Sequence, residues 1–151
     1  MIGVLTADCV PVLLHDDQTK TIAAIHAGWK GARTGIIDST FQELKKLKVD
    51  PGNIKAAIGP CIFQDNYEVG PEVFDAFKKN HKNCFSPSNR PEHYMFDLPE
   101  LVRQQLLQQG VTHIENIGLN TYQQAEDFFS CRRAFHKGEK GFGCMLSAIT
   151  L

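Results

Sequence analysis

The sequence predicts an α/β fold, a layered mixed sheet with packed helices, forming a single domain over residues 1–151. Short β-branched, apolar runs alternate with segments whose apolar residues recur at helical spacing. No internal repeat, low-complexity tract or linker interrupts that alternation. With 42% of residues hydrophobic and 22% charged, the composition is that of a soluble globular domain, and a disordered or fibrous chain is excluded. A chain of this length buries roughly 68–70% of its unfolded surface, so its core needs no covalent staples.

Met1 is followed at once by Ile-Gly-Val-Leu-Thr, expected to be a buried strand although no turn or polar leader precedes it. Natural domains seldom open in mid-strand. Val10 to Leu14 and Thr21 to Ile25 are the next strands, separated by the polar turn His15 to Lys20, and the three are expected to lie side by side. Beyond His26, Ile37, Phe41 and Leu44 fall at i, i+4 and i+7, and Lys45, Lys46 and Lys48 crowd the C-terminal end. One apolar face with cations at the negative end of the macrodipole predicts a long helix. Asp50 to Asn53 is a turn and Ile54 to Ile58 a short strand entering Gly59-Pro60-Cys61, which completes a βαβ-like unit.

Gly70-Pro71-Glu72 with Val73, Phe74 and Phe77 predicts a short helix that has Pro in its first turn and ends at Lys78 to Asn80. His81 to Met95 is expected to be loop. Asp97, three residues before Glu100, starts a helix that runs to Gln109 and stops at Gly110, with Leu101, Leu106 and Leu107 turned to the core. Ile114 to Leu119 is predicted as a strand, Gln123 to Ser130 as a short helical turn, and Met145 to Leu151 as the closing strand.

Sixteen Lys and Arg against 17 Asp and Glu give a net charge of −1, which excludes a broadly basic surface, so no nucleic-acid partner is expected. No apolar run approaches the ~18 residues of a membrane-spanning helix, and the opening residues lack a secretory signal. The expected address is the cytoplasm, with no membrane partner; oligomeric state is left open. Cys9, Cys61, Cys84, Cys131 and Cys144 are irregularly spaced with no Cys-x-x-Cys, so reduced and mostly buried thiols are expected.

Chemistry concentrates at two predicted strand ends, Thr6-Ala7-Asp8-Cys9 and His26-Ala27-Gly28-Trp29-Lys30-Gly31. If the strands are neighbours, Cys9 and His26 share one rim of the sheet and offer zinc a thiolate and an imidazole. The alternative is a small buried cysteine and a hydrogen-bonded strand-end histidine. Gly28 and Gly31 flank Trp29 and Lys30 just ahead of the long helix, where backbone N–H groups and the Lys30 ammonium can hold an anion such as phosphate; the alternative is a tight strand-to-helix turn with a packed Trp. Arg132 and Arg133 are a second anion candidate, or one of them makes a structural ion pair.

The strings TADCVPVLL, HAGWKGARTGI, IGPCIFQDNYEVG, FDL and FFSCRR occur in that order, and together they resemble the YfiH-type laccase-domain family. Members have been described as polyphenol oxidoreductases and as purine nucleoside phosphorylases. The resemblance covers essentially the whole chain but only the C-terminal part of a family member, so the chain is expected to lack the family's N-terminal segment. It implies a catalytic metal site made by Cys9, His26 and a further histidine of that segment, which has no counterpart here. A catalytic zinc takes three protein ligands and an open position, and this chain offers two. Asp8, His15, His113 and His136 are fallback ligands, although Asp8 and Cys9 point to opposite faces of a strand.

Tyr67-Glu68-Val69-Gly70 resembles the family's YEVG, implying a ring that stacks on a purine and a carboxylate that orients a hydroxyl or shares a proton with the base; the alternative is a packed helix entry. Cys61 and Cys131 are expected to pack. The chain departs from the pattern at Asn120-Thr121, where many relatives have Cys-Thr, and at Gly143-Cys144, where many have Gly-Arg. Six histidines with no His-x-His pair do not suit a multicopper cluster, so zinc is expected ahead of copper.

The resulting expectation is a zinc-centred purine nucleoside phosphorylase acting on adenosine, inosine or methylthioadenosine with phosphate, with adenosine deamination as a related activity. The alternatives are a laccase-like polyphenol oxidoreductase, a Cys9–His26 hydrolase acting on amide bonds of cell-wall precursors, and an inactive binding or structural remnant.

Overall fold

The computed structural model describes residues 1–151. Its strands are β1 (Ile2–Thr6), β2 (Val10–Asp16), β3 (Thr21–Ala27), β4 (Lys55–Ile58), β5 (Glu68–Val69), β6 (Phe85–Pro87), β7 (Tyr94–Phe96), β8 (His113–Asn116) and β9 (Met145–Ile149). Its helices are α1 (Trp29–Thr34), α2 (Ile36–Lys46), α3 (Pro71–Phe77), α4 (Leu98–Gln108) and α5 (Cys131–His136). No helix is long and apolar enough to cross a membrane.

The central sheet is mixed, in the order β3-β2-β4-β8. Strand β2 runs antiparallel to both β3 and β4, and β8 lies parallel to β4. Alternation sorts the two faces. Val10, Val12 and Leu14 of β2, Ile25 and Ala27 of β3, and Ala56 and Ile58 of β4 are buried together with Ile37, Phe41 and Leu44 of α2 and Leu98, Leu101, Val102 and Leu106 of α4. Deleting one of these large side chains costs about 2–5 kcal/mol, so this layer carries much of the stability. Gln109, just past α4, ties that helix to α2 through Nε2, which donates to Asp38 Oδ1 at 2.6 Å, and Gln105 of α4 ties it to α1, its Nε2 donating to the Ala32 carbonyl at 3.0 Å.

Strand β1 departs from expectation. It lies outside the central sheet and pairs antiparallel with β9, and only Thr6 at its end is buried. This ribbon lies over the Pro11 face of the sheet: a Cβ placed on Gly59 would meet Pro11 at 2.9 Å and the Ser147 hydroxyl at 3.4 Å. An apolar run can therefore be a half-exposed ribbon as readily as a buried strand.

The predicted long helix is two helices. Gly35, at φ +85°, ends α1 and begins α2, a left-handed turn that glycine makes without a Cβ clash. The region predicted as loop, His81 to Met95, holds β6 and β7, which with β5 form a second sheet in the order β5-β7-β6. Phe74 of α3 stacks on Tyr94 (3.9 Å between centroids) and so holds that sheet to the helix, while Phe85 and Phe96 stack on each other (4.3 Å) across β6 and β7. The predicted helical turn over Gln123 to Ser130 is a series of turns, and the helix follows it as α5, with the Ser130 hydroxyl accepting the Arg133 N–H at 3.1 Å. The predicted strand from Ile114 to Leu119 ends at Asn116, and β3 continues to Ala27, so His26 lies within a strand. Of the cysteines, only Cys61 and Cys84 are fully buried; none is bridged.

Candidate functional site

A cleft of about 580 Å³ opens between the β1–β2 connection, the β5–α3 segment, the β6–β7 turn and α5. Cys9, Tyr67, Glu68 and Arg132 all line it. His26, Gly28, Lys30 and Arg133 do not, although Trp29, between Gly28 and Lys30, does. A larger hollow beside α2, lined by Phe41, Lys45 and Gln109 among others, holds none of these residues.

The floor of the cleft is organised by Asp8. Its backbone is left-handed at φ +85°, a conformation that Asp tolerates better than most residues. Its side chain is buried and accepts twice, from the Thr121 hydroxyl at 2.7 Å and from the Arg132 backbone N–H at 2.6 Å. The second bond fills one of the unpaired donors at the start of α5 and fixes that helix against the β1–β2 connection. Asp8 therefore presents Cys9 and Arg132 to the same space.

Cys9 packs against Gly28 so closely that a Cβ there would lie 2.9 Å from its sulfur. Burial, the Asp8 carboxylate and the neighbouring Cys131 push the Cys9 thiol up to about 11. A nucleophilic cysteine needs the opposite shift, and His26 is an exposed residue of β3, opposite Pro11 and outside the cleft. The arrangement thus lacks the features of a Cys9–His26 hydrolase.

Cys9 and His26 are also the donors assigned to a metal. The register, Val10 opposite Ala27 and Pro11 opposite His26, sets Cys9 beside Gly28 and two residues along the ladder from His26. Within residues 1–151 no group of three or more His, Cys, Asp or Glu side chains converges to hold an ion. His15 and His113 are both paired in register with Lys55, away from Cys9; of the fallback ligands Asp8 and His136 share the cleft with it, and the Asp8 carboxylate already accepts from Thr121 and Arg132. The residues present do not fit a three-ligand zinc site.

The aromatic and cationic residues have divided roles. Tyr67 stacks on the buried Phe96 at 5.7 Å, and the Arg132 guanidinium lies 5.0 Å from the Tyr67 ring centre. The Tyr67 ring is thus engaged by two protein groups, Phe96 and the Arg132 guanidinium. Arg132 also donates through Nη1 to the Glu68 carbonyl at 2.6 Å. Arg133, by contrast, is spent on structure: its guanidinium donates to the carbonyls of Thr121, Tyr122 and Phe128. Lys30 is exposed and lies over Trp29 at 5.6 Å. The Glu68 carboxylate accepts the Ser88 hydroxyl.

Arg90, His93 and Phe135 also line the cleft and were not among the residues the sequence singled out. Arg90 and His93 come from the region predicted as loop, which hid their position opposite α5. His136 holds its Nδ1 2.8 Å from the Tyr122 hydroxyl.

Comparison with known proteins agrees with this arrangement of strands and helices. A family model described as "Multi-copper polyphenol oxidoreductase laccase" matches residues 1–151. A purine nucleoside phosphorylase of Rickettsia conorii is 40% identical over 154 residues, covering 100% of this chain and 63% of that protein. An adenosine deaminase from an unknown prokaryotic organism is 38% identical over 140 residues, 88% of this chain and 53% of that protein. The crystal structure of YfiH from Bacillus licheniformis superposes with a TM-score of 0.84 at 30% identity, over 95% of this chain and 55% of that one. The chain thus spans less than two thirds of the length of each of these relatives.

Proposed function

The chain belongs to the multi-copper polyphenol oxidoreductase laccase family, and from that premise we propose that its cleft is a purine nucleoside phosphorylase site. The observation that carries this reading is the meeting, in one cleft, of a guanidinium plane, two carboxylates and a cation outside any ion pair: Arg132, Glu68 and Glu72, and Arg90. Phosphorolysis needs all three kinds of group. A planar cation stacks on a purine, carboxylates accept from ribose hydroxyls, and guanidinium groups neutralise phosphate. The relative named purine nucleoside phosphorylase supports the same reaction class.

In the proposed reaction a phosphate oxygen forms a bond to the ribose anomeric carbon as the bond from that carbon to the purine nitrogen breaks. The purine leaves with the electron pair and takes up one proton. The chain's contribution is to hold nucleoside and phosphate in line and to reduce water around them, which lowers the entropic part of the barrier. Asp8 supports this by fixing α5, and with it Arg132. Cys9 and His26 supply two donors, one fewer than the three protein ligands a catalytic zinc takes.

Adenosine deamination is the second reading, supported by the relative named adenosine deaminase. Incubating the protein with inosine, adenosine or methylthioadenosine, with and without phosphate, separates the two. Phosphorolysis predicts free base only with phosphate; deamination predicts ammonia and inosine from adenosine without it. Neither product from any nucleoside contradicts the proposal and favours a binding or structural role.

A further inference from the structure

We propose that the β6–β7 turn, Ser88 to His93, is the phosphate-binding arm of the cleft, with Arg90 and His93 forming an oxyanion site beside Arg132. The inference rests on the phosphorylase reading and assigns its anion to a place in the fold.

The turn is internally fixed. The Ser88 N–H donates to the His93 carbonyl at 3.0 Å, the His93 N–H to the Arg90 carbonyl at 3.1 Å, and the Arg90 N–H to the Ser88 hydroxyl oxygen at 3.1 Å. The Ser88 hydroxyl in turn donates to the Glu68 carboxylate, which anchors the arm to β5. His93 Nδ1 lies 2.9 Å from the Pro91 carbonyl. A carbonyl only accepts, so Nδ1 carries the proton and Nε2 is left for the ligand, accepting from the P–OH of hydrogen phosphate when the ring is neutral and donating to a phosphate oxygen when the ring is protonated.

These residues lie beside Arg132. The register of β5 and β7, Val69 opposite Tyr94, sets Gly70 next to His93. Arg132 donates to the Glu68 carbonyl, two residues away along β5, a separation of about 7 Å at the ordinary strand rise. Arg90 is exposed, lines the cleft, and takes no part in the chain's four ion pairs. Its guanidinium is free to meet an anion, whereas that of Arg133 is consumed by three carbonyls. Two acidic residues of the cleft have protein partners of their own: Asp8 accepts from the Thr121 hydroxyl and the Arg132 backbone N–H, and Glu68 from Ser88. Glu72, on α3, remains for the ribose hydroxyls.

The test uses Trp29, the one tryptophan of the chain, which lines the same cleft and reports binding through its fluorescence. Inorganic phosphate is titrated into the wild-type protein, Arg90→Gln, Arg90→Lys and His93→Gln. Loss of a charge-assisted hydrogen bond predicts phosphate affinity lower by about tenfold or more in Arg90→Gln, with Arg90→Lys between it and wild type. In the base-release assay the KM for phosphate rises in parallel while the KM for inosine moves less than about twofold. Equal phosphate affinity in wild type and Arg90→Gln overturns the arm. If base release requires phosphate but Arg90→Gln leaves its KM unchanged, the arm fails and phosphorolysis stands. If Arg90→Gln weakens phosphate binding in a protein that releases no base, the arm stands and phosphorolysis fails.

Discussion

Asp8 and Arg132, far apart in the chain, are joined by a hydrogen bond of 2.6 Å from the arginine backbone N–H to the aspartate Oδ2. Together with the 2.7 Å bond from the Thr121 hydroxyl, it makes one buried carboxylate the link between the β1–β2 connection and α5. Removing the acceptor strands two donors, each costing about 1–3 kcal/mol when buried. Asp8→Ala is therefore expected to lower stability by about 2–4 kcal/mol. Asp8→Gly costs less, because glycine accepts the left-handed backbone at φ +85°. Urea denaturation of the two variants measures the difference; equal losses contradict the contribution of the backbone.

Gly28 and Cys9 form a steric pair. Gly28→Ala places a Cβ 2.9 Å from the Cys9 sulfur, and overpacking of this kind costs about 1–3 kcal/mol. Shortening the partner in the Gly28→Ala, Cys9→Ala double variant is expected to recover most of that loss. Additive losses in the double-mutant cycle contradict direct contact between the two.

The Cys9 thiol, pushed up to about 11 by burial, Asp8 and Cys131, is expected to react slowly with iodoacetamide. Against an ordinary thiol, a shift of that size leaves about 100-fold less thiolate at pH 8. The sign for stability follows. The folded thiol keeps its proton above the pH at which the unfolded one loses it, so this contribution is complete below about pH 9 and is lost as pH rises towards 11. Alkylation rates against pH, with Cys9 followed by mass spectrometry, check the first statement. A Cys9 rate midpoint near pH 7 contradicts it and revives a cysteine nucleophile.

Arg132 and Arg133 are adjacent in sequence and opposite in duty. Arg133→Ala leaves three carbonyls without their donor and is expected to cost about 1–3 kcal/mol of stability. Arg132→Gln keeps the backbone bond to Asp8 but loses the Nη1 bond to the Glu68 carbonyl, so it is expected to cost less stability than Arg133→Ala while lowering base release by about tenfold or more. Thermal melts beside activity measurements separate the two; the reverse assignment contradicts the structure.

How much of this was legible in the sequence depends on the length of the signal. The eleven-residue helices α2 and α4 were visible through their spaced apolar residues and, for α4, the Asp97 cap, whose side chain accepts the Glu100 N–H at 3.0 Å. Strands of two or three residues, β5 to β7, carry no measurable alternation, so the second sheet and its turn read as loop. Helix α5 was missed because its six residues have a Ser cap and no apolar periodicity. The Gly35 break was marked by its glycine, but the apolar face on either side suggested continuity. At the site, Cys9, Tyr67, Glu68 and Arg132 do share a cleft, whereas Arg133 is bonded to carbonyls and His26 lies outside it. Which of two neighbouring arginines faces a cleft is decided by the Asp8 and Ser130 contacts of α5, a tertiary fact that no spacing encodes.

The most direct test of the proposed activity is phosphorus NMR of the protein incubated with inosine and inorganic phosphate. Phosphorolysis predicts that the phosphate signal falls as a ribose 1-phosphate signal grows in equal amount to free hypoxanthine, and that both are lost with Arg132→Gln. Hypoxanthine without the sugar phosphate, or no change in either signal, contradicts it.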